Sequence, residues 1–151
     1  MRIGLISDTH GLLRPQAVDA LAGVDHIIHA GDVGQEEVLR ELRTVAPVTA
    51  VRGNVDIDTW ATALPEKQDI WLSGASIHVL HILERLKPTD GARSRVVIYG
   101  HTHRPLIETR DGVLFVNPGS AGPRRFSLPV TVGFLTVGVD GALDAHIHTV
   151  S

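Results

Sequence analysis

The chain has 151 residues, of which 43% are hydrophobic and 21% are charged, a composition typical of a folded globular domain. The chain has nine histidines and no cysteine. The absence of cysteine excludes disulfides, cysteine-type zinc fingers, iron–sulfur clusters and a thiol nucleophile, so any metal must be held by histidine and carboxylate side chains. The net charge is −3 and no basic block is present, which argues against binding to a nucleic-acid backbone.

The first third of the chain alternates between strand and helix patterns. The apolar runs Ile3–Ile6, Asp25–Ala30 and Val48–Val51 predict three buried strands. Between them, Arg14–Leu21 has a proline in its first turn, and Gln35–Val45 repeats apolar residues at helical spacing. Both segments are predicted to be helices, which makes this third a βαβαβ-like unit.

From about Leu64 onward the chain is strand-rich. Further strands are predicted at Ile70–Leu72, Ser76–Leu80, Val96–Tyr99, Leu106–Thr109, Leu114–Val116, Val130–Val137 and Ala142–Thr149. Hairpin turns are predicted at Ser73-Gly74, Asp111-Gly112 and Asp140-Gly141. Because no linker or repeat divides the chain, we expect a single α/β domain over residues 1–151, with two packed sheets and helices outside.

The segment Leu83–Arg95 has the weakest pattern. It begins as a helix and becomes polar around Pro88 and Gly91. Such a segment predicts a surface loop, and the alternative is a flap beside a substrate pocket.

The apolar run at the N-terminus is only a few residues long and is followed by polar residues. It is too short for a signal peptide and far shorter than the roughly 20 residues that span a bilayer. We therefore expect a soluble, cytoplasmic protein that does not act at a membrane.

Candidate metal ligands directly follow the predicted strands. They are Asp8, His10, Asp32, Asn54, His81, His101 and His103. Because ligands bind at the carboxyl ends of strands in open parallel sheets, we expect these seven side chains to meet at one rim. Seven donors are too many for one tetrahedral ion, yet they fit two ions that share a carboxylate. Imidazole and carboxylate donors suit manganese, iron, zinc or nickel better than calcium.

These motifs, in this order, resemble the calcineurin-like metallophosphoesterase superfamily, and in particular its small bacterial and archaeal phosphodiesterase branch. They are Asp8-Thr9-His10-Gly11, Gly31-Asp32-Val33, Gly53-Asn54-Val55-Asp56, His81, Gly100-His101-Thr102-His103 and Asn117-Pro118-Gly119-Ser120. The resemblance implies a four-layer fold, in which two packed mixed β-sheets form a β-sandwich flanked by helices. It also implies a two-metal centre at one sheet edge.

The resemblance further implies which residues hold each ion. Asp8, His10 and His103 would hold the first, Asn54, His81 and His101 the second, and Asp32 would bridge the two. We expect manganese, with iron, zinc, nickel or magnesium as alternatives. Asp32, Asn54 and His81 are the candidate catalytic residues.

A two-metal centre of this kind predicts hydrolysis of a small phosphoester, in which a metal-bridging hydroxide attacks phosphorus in line. Superfamily members that use a histidine as leaving-group acid carry it just after the motif asparagine, where this chain has Val55. We therefore expect diesters and activated aryl esters to be better substrates than alkyl monoesters. No motif that reads bases is present, so a sequence-specific nucleic-acid partner is not expected.

Several alternatives stay open. A non-catalytic scaffold on the same fold, like the retromer subunit that resembles this family, is the second hypothesis for function. Ile82 stands where a glycine usually follows the ligand histidine, so His78 competes with His81 for that role. Asp56 is predicted either to orient a ligand histidine or to stabilise its turn. Exposed strands near the C-terminus could pair two copies as a homo-oligomer.

One histidine and one pair of arginines outside this set also carry predictions. His29 is predicted to be structural or to support a ligand. Arg124 and Arg125 follow the Asn117-Pro118-Gly119-Ser120 loop, and they are predicted either to be a solvated pair or to meet a substrate phosphate.

Overall fold

A computed structural model describes residues 1–90 and 94–151 of the chain. Its first sheet contains β1 (Arg2–Ile6), β2 (His26–His29), β3 (Val48–Ala50), β9 (Thr131–Val137) and β10 (Leu143–Thr149). The strand order is β10-β9-β1-β2-β3. Strands β1, β2 and β3 are parallel, whereas β9 runs antiparallel to both β1 and β10. The predicted βαβαβ unit therefore forms the parallel half of this sheet.

The second sheet contains β4 (Lys67–Leu72), β5 (Ala75–Leu80), β6 (Val96–Ile98), β7 (Leu106–Arg110) and β8 (Val113–Asn117). Its order is β4-β5-β6-β8-β7, with β5, β6 and β8 parallel. Antiparallel hairpins at β4–β5 and β7–β8 close its two edges. Both hairpins turn at the predicted positions, where Ser73 and Asp111 adopt positive φ ahead of a glycine, as tight hairpin turns require.

The two sheets pack face to face around one apolar layer. Ile3, Leu5 and Ile28 of the first sheet meet Ile77 and Ile98 of the second, and all five are fully buried. Burying a side chain of this size stabilises the fold by about 1.5–3 kcal/mol. This layer fixes the two sheets against each other, so that the loops at their carboxyl ends share one edge.

The helices lie against the outer face of the first sheet. They are α1 (Pro15–Ala20), which has its proline in the first turn, and α2 (Glu36–Leu42). Leu21, Leu39 and Leu42 of this layer are buried against the sheet. None of the helices within residues 1–90 and 94–151 is long and apolar enough to cross a membrane.

The outer face of the second sheet has a thinner cover. A single 3₁₀ turn (Leu83–Arg85) places Leu83 and Leu86 against Tyr99 and Phe115. A second 3₁₀ turn, Thr59–Ala63, links β3 to β4. The predicted architecture of two packed mixed sheets flanked by helices is confirmed. In the fourth layer, the 3₁₀ turn Leu83–Arg85 takes the place of a helix.

The predicted loop or flap Leu83–Arg95 is held to the second sheet over its first half. The Lys67 ammonium donates to the Arg85 carbonyl oxygen at 2.8 Å and pairs with the Asp90 carboxylate. Residues 91–93 of the predicted flap lie outside the described residues.

Candidate metal centre

Most of the predicted ligands lie on turns with left-handed backbone. The φ angles are 56° at Asp8, 48° at His10, 55° at Asp32, 75° at His101 and 63° at His103. A non-glycine residue rarely adopts positive φ, and such strain costs about 1–3 kcal/mol and concentrates at functional sites. The strained residues thus lie at the carboxyl ends of β1, β2 and β6, where the donors were predicted to meet.

These turns are fixed by hydrogen bonds between neighbouring loops. The His10 amide donates to the Asp32 carbonyl oxygen at 2.9 Å. The Asp8 Oδ2 atom accepts from the Ser7 hydroxyl at 2.7 Å and from the His101 amide at 3.1 Å. Asn117 Nδ2 donates to the Gly100 carbonyl oxygen at 3.1 Å, which braces the turn before His101. The contribution of Ser7 was not foreseen from the sequence, because a serine inside an apolar strand carries no distinctive pattern.

The structure brings six of the seven predicted ligands into two groups. Within each group the candidate ligand atoms all lie within 4.8 Å of one another, and the groups are Asp8 with His10 and His103, and Asp32 with His81 and His101. The imidazoles pair in the same way, with ring centroids 5.3 Å apart for His10 and His103 and 5.2 Å apart for His81 and His101.

Both carboxylates lie between the two groups. Asp32 Oδ2 is 3.1 Å from His81 Nε2 in its own group and 3.6 Å from His10 Nε2 in the other. Asp8 Oδ1 is 3.3 Å from His103 Nε2 and 3.8 Å from His81 Nε2. A carboxylate in such a position can contact two cations at once.

The His81 imidazole is oriented by the backbone of the other sheet. Its Nδ1 donates to the Ala30 carbonyl oxygen at 2.7 Å, so in the neutral ring the lone pair is on Nε2, which faces the carboxylates. The competing candidate His78 lies within β5, and its Nδ1 is 2.8 Å from Asp69 Oδ1 on the neighbouring strand. His78 is in neither ligand group, so the geometry favours His81.

Asn54 lies on the exposed turn after β3. It shares with His81 the wall of a small cavity of about 20 Å³. The next residue, Val55, donates its amide to Asp32 Oδ1 at 3.1 Å, which leaves Oδ2 to face the histidines. The turn that carries Asn54 therefore packs against the second group.

The two groups contain polar atoms without partners. Asp8 Oδ1, His10 Nε2, His81 Nε2 and His103 Nδ1 are buried and have no hydrogen-bond partner among the described residues. Burying a polar group without a partner costs free energy, and such groups are rare in folded proteins. Lone pairs of imidazole and carboxylate that converge in this way fit divalent cations.

The electrostatics of the groups agree with this fit. Burial opposes ionisation of Asp8, but the neighbouring imidazoles of His10 and His103 outweigh it and hold the pKa of this carboxyl well below its usual range. Burial likewise opposes the charge on His81, yet its contact with Asp32 raises the pKa of the imidazole. The carboxylates are therefore ionised, and they draw positive charge to the rim.

Comparison with known proteins identifies the family. Residues 1–140 match the model of the calcineurin-like phosphoesterase superfamily domain. The chain belongs to this superfamily. A probable metallophosphoesterase of Methanothermobacter thermautotrophicus is 36% identical over 97% of this chain and 91% of that protein. The phosphodiesterase YfcE of Escherichia coli is 29% identical over 89% of this chain and 87% of its own length. The predicted resemblance is confirmed.

Solved structures show the same calcineurin-like fold. An archaeal phosphodiesterase has a TM-score of 0.80 and 25% identity, with 98% of this chain and 100% of that chain covered. Vps29 of Entamoeba histolytica, solved with zinc, has a TM-score of 0.75 and 23% identity, with both chains fully covered. The likeness to Vps29 concerns the fold.

Asp56 stabilises its turn. Its carboxylate accepts hydrogen bonds from the backbone amides of Val33 at 3.1 Å, Gly34 at 2.9 Å and Gly53 at 2.9 Å. It thereby joins the turn after β2 to the turn after β3. Of the two roles predicted for Asp56, the contacts match the turn-stabilising one, and they keep Asp32 and Asn54 next to each other.

His29 is buried beneath the ligand turns as a neutral ring. Its Nδ1 accepts a hydrogen bond from the Gly31 amide at 3.1 Å, and its Nε2 donates to the Thr9 hydroxyl at 3.0 Å. That hydroxyl in turn donates to the Val33 carbonyl oxygen. Burial lowers the pKa of His29 to about 4. Both of its ring nitrogens are used in these hydrogen bonds, which support the turn that carries Asp8 and His10.

The neutral state of His29 predicts a loss of stability in acid. In the unfolded chain the imidazole takes up a proton below its ordinary pKa of 6.5, whereas in the folded protein it stays neutral down to about pH 4. The free energy of unfolding therefore falls as the pH falls, with a contribution of about 2.5 kcal/mol between pH 7 and pH 4.5. Urea unfolding of the metal-free protein measures this change.

The matched variant is His29→Gln, whose side-chain amide can still donate to Thr9 but does not titrate. The free energy of unfolding is measured against pH for both proteins. The difference between the two slopes gives the contribution of His29 apart from that of the carboxylates. Equal slopes for both proteins would contradict the assignment of a buried neutral ring.

Proposed function

We propose that this protein is a phosphodiesterase that acts on a small phosphodiester with two divalent metal ions. The observation that carries the proposal is the pair of ligand groups with buried, unpartnered nitrogen and oxygen atoms. Family membership supports the same chemistry. In this assignment Asp8, His10 and His103 would hold the first ion, Asn54, His81 and His101 would hold the second, and Asp32 would lie between the two.

Ions at these positions would lower the pKa of bound water toward neutrality and offset charge on the phosphoryl oxygens during in-line attack. Residues of the chain itself orient the two carboxylates. Ser7 and the His101 amide fix one oxygen of Asp8, and the Val55 amide fixes one oxygen of Asp32, which leaves the other oxygen of each carboxylate for the ions. Because these donors are in place in the fold, little reorganisation is needed during the reaction.

The turn after β3 supports a preference for diesters. Val55 is 44% exposed and has no proton to give a leaving group. The carboxylate of Asp56, the next titratable group, already accepts three backbone amides. Without an acid at this turn, the alcohol of an alkyl monoester would have to depart as an alkoxide, which is a poor leaving group. We therefore propose that aryl esters and diesters react faster.

We propose manganese as the preferred ion. Iron, zinc, nickel and magnesium are the alternatives that this set of imidazole, carboxylate and amide donors also accepts.

The deciding experiment is a panel of phosphoesters against a panel of metals. Protein stripped with a chelator should hydrolyse bis-p-nitrophenyl phosphate at the uncatalysed rate, and manganese should restore activity, with simple alkyl phosphates turned over more slowly. Release of p-nitrophenolate reports the rate, and the reloaded protein controls for damage during stripping. Full activity in protein shown by elemental analysis to hold no metal would contradict the proposal.

Anomalous scattering from crystals soaked in manganese separates this function from a non-catalytic scaffold on the same fold. Two peaks about 3.5–4 Å apart, one in each ligand group, are expected for the enzyme. Absence of both peaks at saturating manganese would favour the scaffold.

A further inference from the structure

A cavity of about 510 Å³ lies beside the turn that carries His101. Gly100 and Thr102, the two neighbours of His101 in the chain, both line it. Because adjacent Cα atoms are about 3.8 Å apart, this metal ligand and the wall of the cavity belong to one short turn. Volumes of about 300–1,000 Å³ are typical of sites for small organic ligands. The cavity is therefore large enough for an organic group and adjoins the second ligand group.

A second ligand turn leads into the same cavity. Leu83 and Glu84, which line it, follow His81 by two and three residues. The Gly100 amide donates to the His81 carbonyl oxygen at 3.0 Å, so the segments after β5 and β6 are joined at this point. Both histidines of the second ligand group, His81 and His101, thus lie within three residues of the cavity wall. A group held in the cavity is next to these two histidines.

The walls of the cavity suit an uncharged group. Most of the lining side chains are apolar, namely Leu83, Tyr99, Pro105, Leu106 and Leu128. Arg110 also lines the cavity, but it donates to Glu108 at 2.7 and 3.0 Å, so its charge is already matched. The remaining charged residues of the lining, Glu84 and Arg104, have opposite signs. Because burying an unmatched charge is costly, such walls favour a neutral group.

Two hydroxyl groups in the walls have protons without an acceptor in the described part of the chain. Tyr99 is only 3% exposed, yet its hydroxyl makes no hydrogen bond there, whereas buried hydroxyls normally do. Burial raises the pKa of Tyr99, so the hydroxyl keeps its proton at neutral pH. The Thr102 hydroxyl accepts from Asn117 Nδ2 at 3.1 Å and from the Arg104 amide at 3.2 Å, and its own proton is free. Both hydroxyls can donate to an acceptor on a bound group.

We propose that this cavity binds one of the two ester groups of the phosphodiester substrate. That group is uncharged and mainly apolar, and it carries a hydrogen-bond acceptor for Tyr99 or Thr102. The inference rests on the proposed function, because metal ions at the ligand groups must hold the phosphoryl group beside the cavity. The substrate class is then a phosphodiester with a bulky, neutral organic group, since a diester of two short alcohols would leave the cavity unfilled.

The first measurement is the binding of acetophenone, which is uncharged and combines an apolar ring with one carbonyl acceptor. Tyr99 is the only tyrosine in the chain, so isotope labelling at tyrosine Cζ gives a single NMR resonance from the cavity wall. The full chain is incubated with zinc, which is diamagnetic, and titrated with acetophenone. The resonance should shift to saturation. A resonance that does not move, or that moves without saturating up to the solubility limit, would overturn the proposal.

The second measurement links the cavity to the reaction. In the manganese-loaded protein, acetophenone should raise KM for bis-p-nitrophenyl phosphate and leave kcat unchanged, because the probe and an ester group compete for the same space. Inhibition that lowers kcat at constant KM would place the probe and the substrate at separate sites, and it would overturn the proposal, as would a KM that acetophenone does not change.

Leu106→Trp and Ile107→Trp are a matched pair of variants. The two side chains are 43% and 39% exposed, and only Leu106 lines the cavity, because adjacent strand residues face opposite ways. Leu106→Trp should abolish the acetophenone shift and raise KM at least about 10-fold, a factor that one methylene group in an apolar pocket can produce. Ile107→Trp should change neither. Tyr99→Phe should raise KM about 2- to 10-fold, as for loss of one neutral hydrogen bond.

The outcomes separate this inference from the proposed function. A protein that hydrolyses diesters but does not bind acetophenone would overturn the inference alone. So would an unchanged KM in Leu106→Trp protein whose thermal midpoint shows that it is folded, and Leu128→Trp fills the same cavity from another segment if Leu106→Trp does not fold. Saturable binding that these variants abolish, in a protein that hydrolyses no diester, would support the cavity as a binding site and contradict the proposed function.

Discussion

Replacing Asp32 with asparagine should abolish manganese-dependent hydrolysis of bis-p-nitrophenyl phosphate. Asp32 Oδ2 lies within 3.6 Å of imidazoles from both ligand groups, so its charge acts on both proposed ion positions. Loss of groups that merely support a metal ligand typically costs 10- to 100-fold in affinity or activity, and loss of a bridging carboxylate should exceed about 100-fold. Rates and metal content measured together will show whether one ion or both are lost.

The matched control is Asp58→Asn, because Asp58 is an exposed carboxylate that begins the 3₁₀ turn without a side-chain hydrogen bond. It should retain activity and both ions. The fold of Asp32→Asn should survive, since the asparagine Oδ1 can still accept from the Val55 amide. An Asp32→Asn protein with normal turnover would contradict the bridging role.

The fold could be predicted from the sequence wherever apolar periodicity was strong. The strands around Ile3, Ile28 and Ile98 are rich in apolar residues, because each is buried on both faces. One face packs on the opposite sheet, and the other lies under the helices or, for Ile98, under the 3₁₀ turn Leu83–Arg85. The predicted helix Gln35–Val45 is shorter in the structure, ending at Leu42, since residues 43–45 form turns in front of Pro47. Helix ends depend on local hydrogen bonds that periodicity does not encode.

The site could be predicted as a set of residues but not as a geometry. Polar residues after strands indicated that Asp8, His10 and Asp32 would meet, and the structure places them together. The left-handed backbone at these residues is held by contacts between distant loops. No local pattern in the sequence marks such contacts, because the amide of one loop bonds to the carboxylate of another.

Gly53 lies where the turn after β3 approaches the turn after β2 most closely. A Cβ atom at Gly53 would lie 2.1 Å from Asp32 Oδ1 and 2.2 Å from the Asp32 amide nitrogen. One of these contacts is with backbone, so a change of rotamer cannot relieve the clash. The turn after β3 must therefore move away from the turn after β2 in a Gly53→Ala variant.

That movement has consequences for both stability and chemistry. It breaks the hydrogen bonds from the Gly53 amide to Asp56 and from the Val55 amide to Asp32. We expect Gly53→Ala to lower the free energy of unfolding by about 1–3 kcal/mol, as for other overpacked positions. We also expect it to lose the second ion and nearly all activity, because Asn54 is displaced together with the turn.

Gly23→Ala separates these two effects. Gly23 has no atom within 4 Å of an added Cβ, but its φ is 82°, so alanine there costs about 1–2 kcal/mol through strain alone. A comparable loss of stability at Gly23 should leave manganese content and turnover unchanged. If Gly53→Ala kept both ions and normal turnover, close approach of the two turns would not be what holds Asp32 and Asn54 in place. If Gly23→Ala lost its ions as well, general destabilisation rather than local geometry would account for the loss at Gly53.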